Sequence, residues 1–287
     1  MMRLSHVVMA ALVVTTLAAC TTQVSGRAVA GAPPPPPPSP SAPATPTSGR
    51  PGLPEAGQCV AGDSLTPIDC TKPHTVEVTK GGTFPMELPA TRPPQLDIFK
   101  AALPDCRAEA ARYLGSDAYD ATTLAAWMLW ASEQDWQAGN RWYRCGIAQL
   151  TPDNKAMMRA GTVRGALAGD GFYAFQACSS VKPQEAAVAR VDCAGPHVAE
   201  GLAVVPMGKP TDPIPSPEQF NAAARPKCTQ ALVNYLGTST RSDVLAAWRW
   251  PSQQEWAQGY TNVTCFAQVD APVTRQLKGI GNAPLPR

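Results

Sequence analysis

The chain has 287 residues, with 24 Lys and Arg against 22 Asp and Glu and a formal charge of +2. So balanced a composition gives no sign of the concentrated basic face that nucleic-acid binding needs. Nine cysteines divide as one, then four, then four, and that division organises the reading of the chain.

Met1 to His6 carry one arginine, and a mostly apolar run follows from Val7 to Ala19. A short charged start and an apolar segment of this length read as a secretion signal. The run falls short of the roughly 20 apolar residues of a spanning helix, and no later segment reaches that length. It closes on Leu17-Ala18-Ala19-Cys20, which resembles the bacterial lipobox. There small residues admit the peptidase and the thiol takes a diacylglyceryl group. Residues 1–19 are expected to be a lipoprotein signal peptide, with Cys20 the lipidated start of the mature chain. An ordinary signal peptide with an incidental cysteine is the alternative. Two or three acyl chains, at about 0.8 kcal/mol per buried methylene, would hold the protein on the extracytoplasmic face of the cell membrane. Export places the other eight cysteines in an oxidising compartment, which favours disulfides over metal thiolates. No pair has the CxxC spacing of redox or zinc sites.

Residues 20–56 lack hydrophobic periodicity. Pro33 to Pro38 are consecutive, and Pro40, Pro43 and Pro46 follow among Ser, Ala and Thr. Proline fixes φ and removes a donor, so this stretch is expected to be a solvated spacer outside any core. Fourteen such residues span on the order of 40 Å. A ligand for a proline-binding module is the alternative use.

Two copies of one small domain are expected beyond it, at 57–150 and 174–270, joined by 151–173 and followed by a flexible tail at 271–287. Cys59, Cys70, Cys106 and Cys145 are spaced by 11, 36 and 39; Cys178, Cys193, Cys228 and Cys265 by 15, 35 and 37. Cys70-x-x-Pro73-His74-x-x-Glu77 matches Cys193-x-x-Pro196-His197-x-x-Glu200. Tyr113-Leu114-Gly115 matches Tyr235-Leu236-Gly237, each seven residues beyond the third cysteine. Leu124-Ala125-Ala126-Trp127 matches Leu245-Ala246-Ala247-Trp248. Ser132, Trp136, Gly139 and Cys145 recur at identical spacing as Ser252, Trp256, Gly259 and Cys265. Even sets at near-equal spacing indicate duplication and disulfides. Four cysteines allow three pairings; first with second and third with fourth is favoured, with no link between copies.

The segments His74–Thr79, Tyr143–Leu150, Val198–Val205 and Asn262–Val269 favour strands through their β-branched and aromatic content. A helix lies around each third cysteine. Ser216-Pro217-Glu218-Gln219 is a capping-box start, and Gly237 a stop. Pro226 is expected to break that helix in two, and Pro104 to open the second piece of its counterpart, which Gly115 closes. The expected class is α+β: two tandem, disulfide-stapled domains of antiparallel strands with a helix packed on one face.

All seven tryptophans fall in 127–142 and 248–256. Trp127 and Trp248 read as core; Trp130, Trp142 and Trp250 have polar or basic neighbours and are candidate ligand contacts. The mature chain has two histidines, His74 and His197, each three residues before a glutamate, Glu77 and Glu200. These four are further candidates for ligand or partner contact. Catalysis or metal binding by them is disfavoured: catalytic zinc needs three protein ligands, and residues three apart on a strand face opposite sides. No nucleophile elbow, phosphate loop or His-Glu-x-x-His is present. The even cysteine count leaves no spare nucleophile. No cofactor and no metal are expected.

The pattern Gly57-Gln58-Cys59, Cys70-x-x-Pro73-His74-x-x-Glu77-Val78, a helical cysteine and a final Trp-x-x-Gly…Cys resembles the septum-formation domain family. The second copy departs from it at Gly201, which stands where Val78 does, and in a longer first loop. The resemblance implies an actinobacterial envelope lipoprotein with a role in septum formation and brings no catalytic residues with it. The expected function is therefore non-enzymatic binding of an envelope protein or cell-wall partner. A cell-wall hydrolase using His-x-x-Glu, or a carrier of small lipids or ligands, is the alternative.

Overall fold

The computed structural model describes residues 52–85, 88–89, 91–185 and 188–287. The expected signal peptide, Cys20 and the proline run lie outside the described residues. Among the described residues, no helix is long and apolar enough to cross a membrane.

In chain order the first half runs β1 (Cys59–Val60), β2 (Val76–Thr83), α1 (Gln95–Leu114), a 3-10 turn (Asp117–Ala121), β3 (Leu124–Trp130), α2 (Glu133–Gln137) and β4 (Trp142–Gln149). Its sheet is antiparallel, in the order β1-β2-β4-β3. The second half runs α3 (Gly171–Ala174), β5 (Cys178–Ser179), β6 (Arg190–Val191), β7 (His197–Pro206), α4 (Pro217–Leu236), β8 (Leu245–Arg249), α5 (Gln253–Ala257) and β9 (Asn262–Val273). Its antiparallel sheet has the order β6-β5-β7-β9-β8. Strands β2, β4, β7 and β9 fall on the four expected segments. Strands β3 and β8, the two Leu-Ala-Ala-Trp segments, were not expected as strands. The burial of β3 does not alternate, so its sequence lacks the period-two signature.

Both long helices are 20 residues and unbroken, which corrects the expected breaks at Pro104 and Pro226. An interior proline removes one hydrogen bond and costs about 3 kcal/mol in an isolated helix. Here apolar burial runs straight through it. In α1, Ile98, Ala102, Cys106, Ala110, Tyr113 and Leu114 are buried at three- and four-residue intervals; in α4, Phe220, Ala224, Cys228, Leu232, Tyr235 and Leu236 are. Each stripe buries several side chains worth about 1.5–3 kcal/mol apiece, which outweighs the lost bond. The Ser216–Gln219 capping box is present, and Gly115 and Gly237 end the helices at φ 80° and 72°, where only glycine is unstrained. Helix α1 shares an apolar cluster with Phe84, Met128, Trp136 and Trp142. Helix α4 shares one with Val205, Trp248, Trp256 and Val263.

Four disulfides are formed: Cys59–Cys70, Cys106–Cys145, Cys178–Cys193 and Cys228–Cys265. This is the favoured pairing, and none of the four joins the halves. Two of them tie a helix to a strand, α1 to β4 and α4 to β9.

The joining segment and the C-terminus are packed. In 151–173, Val163 and Leu167 are buried with Tyr113, Leu114 and Ile147. In 271–287, Val273 and Leu277 are buried with Tyr235 and Leu236. The tail expected to be flexible is therefore folded onto the end of α4, because it carries two apolar anchors.

The halves meet through the 3-10 turn and the residues after it. Ala177 N–H donates to the Ala121 carbonyl (3.0 Å), Thr123 N–H to Phe175 O (2.7 Å), and Thr122 bridges Gln176. Gly201 lies directly opposite: a Cβ there would come within 2.3 Å of the Ala121 carbonyl. Its counterpart Val78 is fully buried. The departure at Gly201 thus has a steric cause, the close approach of the other half's backbone.

Loop-closure entropy ranks the disulfides. Replacing Cys106 and Cys145 with alanine opens a 39-residue loop and should cost roughly 4 kcal/mol; replacing Cys59 and Cys70 opens 11 residues and should cost roughly 3. Urea unfolding of the two double variants measures the difference. A smaller loss for the longer loop would show that the ranking is set by packing.

Candidate functional site

The repeated His and Glu residues lead inward. Glu77, on β2, is 1% exposed. One carboxylate oxygen accepts from the Tyr113 hydroxyl at 2.5 Å and from the Thr162 hydroxyl; the other accepts from Val163 N–H at 2.8 Å. The Arg159 guanidinium lies 3.6 Å away and also donates to His74 Nε2 at 2.9 Å. His74 Nδ1 faces the Lys72 carbonyl at 2.8 Å. With a donor on one ring nitrogen and a carbonyl on the other, His74 is the Nδ1–H tautomer. The arginine therefore stands between histidine and glutamate.

Glu200, on β7, is buried in the same way. It accepts from the Tyr235 hydroxyl at 2.7 Å and from Leu277 N–H at 3.1 and 3.2 Å. Here no arginine intervenes. His197 Nε2 lies 2.7 Å from Glu200 Oε1, and Nδ1 lies 2.7 Å from the Gly195 carbonyl. The expectation that the two side chains face opposite sides is corrected by a break in register between His197 and Ala199, which turns the alternation. Both ring nitrogens face acceptors, which is the pattern of an imidazolium. Burial alone would push the His197 pKa down, but the Glu200 hydrogen bond and the Gly195 carbonyl outweigh it and the net shift is upward. The Tyr235 hydroxyl is pushed up by its burial and then by the Glu200 charge.

Cys178, His197 and Glu200 bring three potential metal ligands within 4.8 Å of one another. The donor set does not fit a metal: the Cys178 sulfur is bonded to Cys193, and both His197 nitrogens are engaged as donors. Each His-x-x-Glu set is a clasp that binds a strand, the end of a long helix and the segment that trails the last cysteine. The signal for it was present twice in the sequence, as the paired recurrence of His-x-x-Glu and Tyr-Leu-Gly.

The tryptophans divide differently from expectation. Trp142 is 2% exposed and belongs to the core, so its candidacy as a contact is corrected. Trp127 is half-buried and Trp248 buried. Trp130 and Trp250 are half-buried, resting on Phe99 (5.4 Å) and Phe220 (5.6 Å). Trp250 lines a cleft.

That cleft, of about 470 Å³, lies between the halves. Sequence reasoning missed Arg107, Asp120 and Arg190 because the repeat carries no residue of like charge at their matching positions. Arg107 of α1 is 5% exposed. It donates to both oxygens of Asp120 (2.8 and 2.6 Å) and to the Gly259 carbonyl (2.8 Å), and it stacks 3.7 Å over the Tyr260 ring. Asn262 adds a further donor to Asp120 at 3.0 Å. Burial opposes the Arg107 charge, but Asp120 beside it holds its pKa above the ordinary value. Arg190, Arg249, Glu255 and Trp250 complete the polar and aromatic wall. The arrangement can hold a small molecule.

A family model described as septum formation matches residues 55–265. Two Mycobacterium tuberculosis proteins, from strain CDC 1551 / Oshkosh and strain ATCC 25618 / H37Rv, are each 26% identical to the chain, and each bears the name of an uncharacterized membrane protein. The alignments cover 73% of this chain and 50% of each relative, so the chain spans about half the length of the curated relatives it matches. No solved structure matches.

Tyr235→Phe removes one donor from a buried carboxylate and should cost about 2 kcal/mol in urea unfolding. A loss below about 0.5 kcal/mol would mean that the clasp carries no stability. The upward shift of His197 sets a pH dependence. Its stabilisation is complete below the ordinary histidine pKa of 6.5 and is lost as pH rises through the higher folded value. The melting temperature should fall across that window, and His197→Gln should flatten the fall. An unchanged slope in the variant would place the pH dependence elsewhere.

Proposed function

The chain belongs to the septum formation family, and from that premise we propose that it is a non-enzymatic envelope lipoprotein in which two copies of one small domain, each with its long helix on one face of the sheet, form a single binding body. Cys20 anchors it on the extracytoplasmic face, and the proline-rich stretch holds the body clear of the membrane. Its partner is an envelope protein or cell-wall material at the division septum.

The observation that carries this reading is the burial of both His-x-x-Glu sets. The residues closest to a catalytic pair are consumed in holding strands, helices and trailing segments together, which favours binding over hydrolysis. The repeated order of elements and the matched disulfides support two copies. The relatives' naming as membrane proteins and the Leu17-Ala18-Ala19-Cys20 sequence support the anchor.

Cys20→Ala should abolish labelling by radioactive palmitate and release the protein from the membrane fraction. A fluorescent fusion should concentrate at division septa, and deletion should lengthen cells. Persistent labelling of the variant would overturn the anchor. Uniform distribution together with normal division in the deletion strain would overturn the septal role.

A further inference from the structure

The cleft between the halves has an unbalanced charge. Its wall holds three arginines, Arg107, Arg190 and Arg249, and two acids, Asp120 and Glu255. Arg107 is paired with Asp120 at 2.6 Å and Arg249 with Glu255 at 3.3 Å. Arg190, on β6, has no ion pair among the described residues. Its one hydrogen bond there runs from the guanidinium to the Asn154 side chain. Its Nε is buried and has no partner among the described residues. Burial lowers the Arg190 pKa, with only Tyr260 and Asp120 opposing the fall.

A guanidinium drawn partly out of water with no carboxylate in ion-pair contact bears a desolvation cost that the Asn154 hydrogen bond, Tyr260 and Asp120 offset only in part. An arriving anion would return it, through the planar fork that arginine presents to a carboxylate. The rest of the wall suits an apolar body: Trp250, Phe266, Val188 and Leu150 line it. The volume lies within the range of small-molecule sites. One uncompensated positive charge matches one negative charge, and the two acids nearby work against a doubly charged ligand.

We infer that the cleft between the halves is a binding site for a small monocarboxylate with a flat apolar body, its carboxylate on Arg190 and its body against Trp250. The site needs neither the anchor nor a septal location, so it stands or falls apart from them.

The test uses the full chain in detergent and fluorine NMR with two probes of one shape, 4-fluorobenzoate and the neutral 4-fluorobenzamide. Benzoate should bind at least tenfold more tightly. Arg190→Gln should bring the two affinities together while melting no lower than the parent, since it removes a half-buried charge that has no ion pair among the described residues. Trp250→Ala should weaken both probes alike. Should Arg190→Gln fail to fold, Arg190→Lys, which keeps the charge and loses the fork, should lower benzoate affinity at least threefold. Equal affinities in the parent, no binding of either probe, or a preference that survives the Arg190 substitutions would overturn the site.

Discussion

A carboxylate taken out of water must find donors, and this fold is arranged around two that do. Removing such a charge from solvent costs several kcal/mol unless its oxygens are satisfied. Glu77 collects a phenol 36 residues away and a backbone N–H 86 residues away; Glu200 collects theirs at 35 and 77. These donors sit at the C-terminal end of a long helix and in the segment beyond the last cysteine of each half. Meeting the demand of one side chain thus fixes where the helix ends over the sheet and where the trailing chain lies. The disulfides act elsewhere, tying each helix at its middle and each entry loop to its strand. Clasp and disulfide hold each helix at two separate points.

Much of this was legible in the sequence because it repeats. Cysteine spacing, helix-stopping glycines and strand segments are local signals that each half repeats, and the capping box at Ser216 is a local signal of α4. What was not legible depends on the third dimension. Pro104 and Pro226 argue for broken helices on local grounds, but burial on either side of each proline outweighs one lost hydrogen bond. Strands β3 and β8 do not alternate cleanly. His197 reaches Glu200 through a register break that no pattern announces. Trp142 is core in spite of its basic neighbours.

The cleft taught the opposite lesson, since Arg107 and Asp120 stand where the halves differ. Arg107 follows Cys106, whereas Thr229 follows the matching Cys228 and is exposed. Asp120 belongs to a turn with no equivalent after α4. Matches between the halves report how each one folds, and mismatches report how they join. At the joint an ion pair of the first half, Arg107 with Asp120, meets the second half through the Gly259 carbonyl, Asn262 and the Tyr260 ring. Pairs of this kind add little net stability over apolar packing but penalise wrong geometry strongly. A wall built this way keeps its shape and its charge pattern.

Gly201 carries one more consequence. The first half supplies a plug, the 3-10 turn with its Ala121 carbonyl; the second supplies a socket, made by the missing side chain at Gly201. The first half has Val78 in the socket position, and between α4 and β8 the second half has Gly237-Thr238-Ser239-Thr240-Arg241-Ser242-Asp243-Val244 in place of the plug. A head-to-tail contact used once could in principle propagate into a filament. Here neither free end carries its part of that joint: Val78 fills the position that Gly201 leaves open, and no 3-10 turn follows α4 among the described residues.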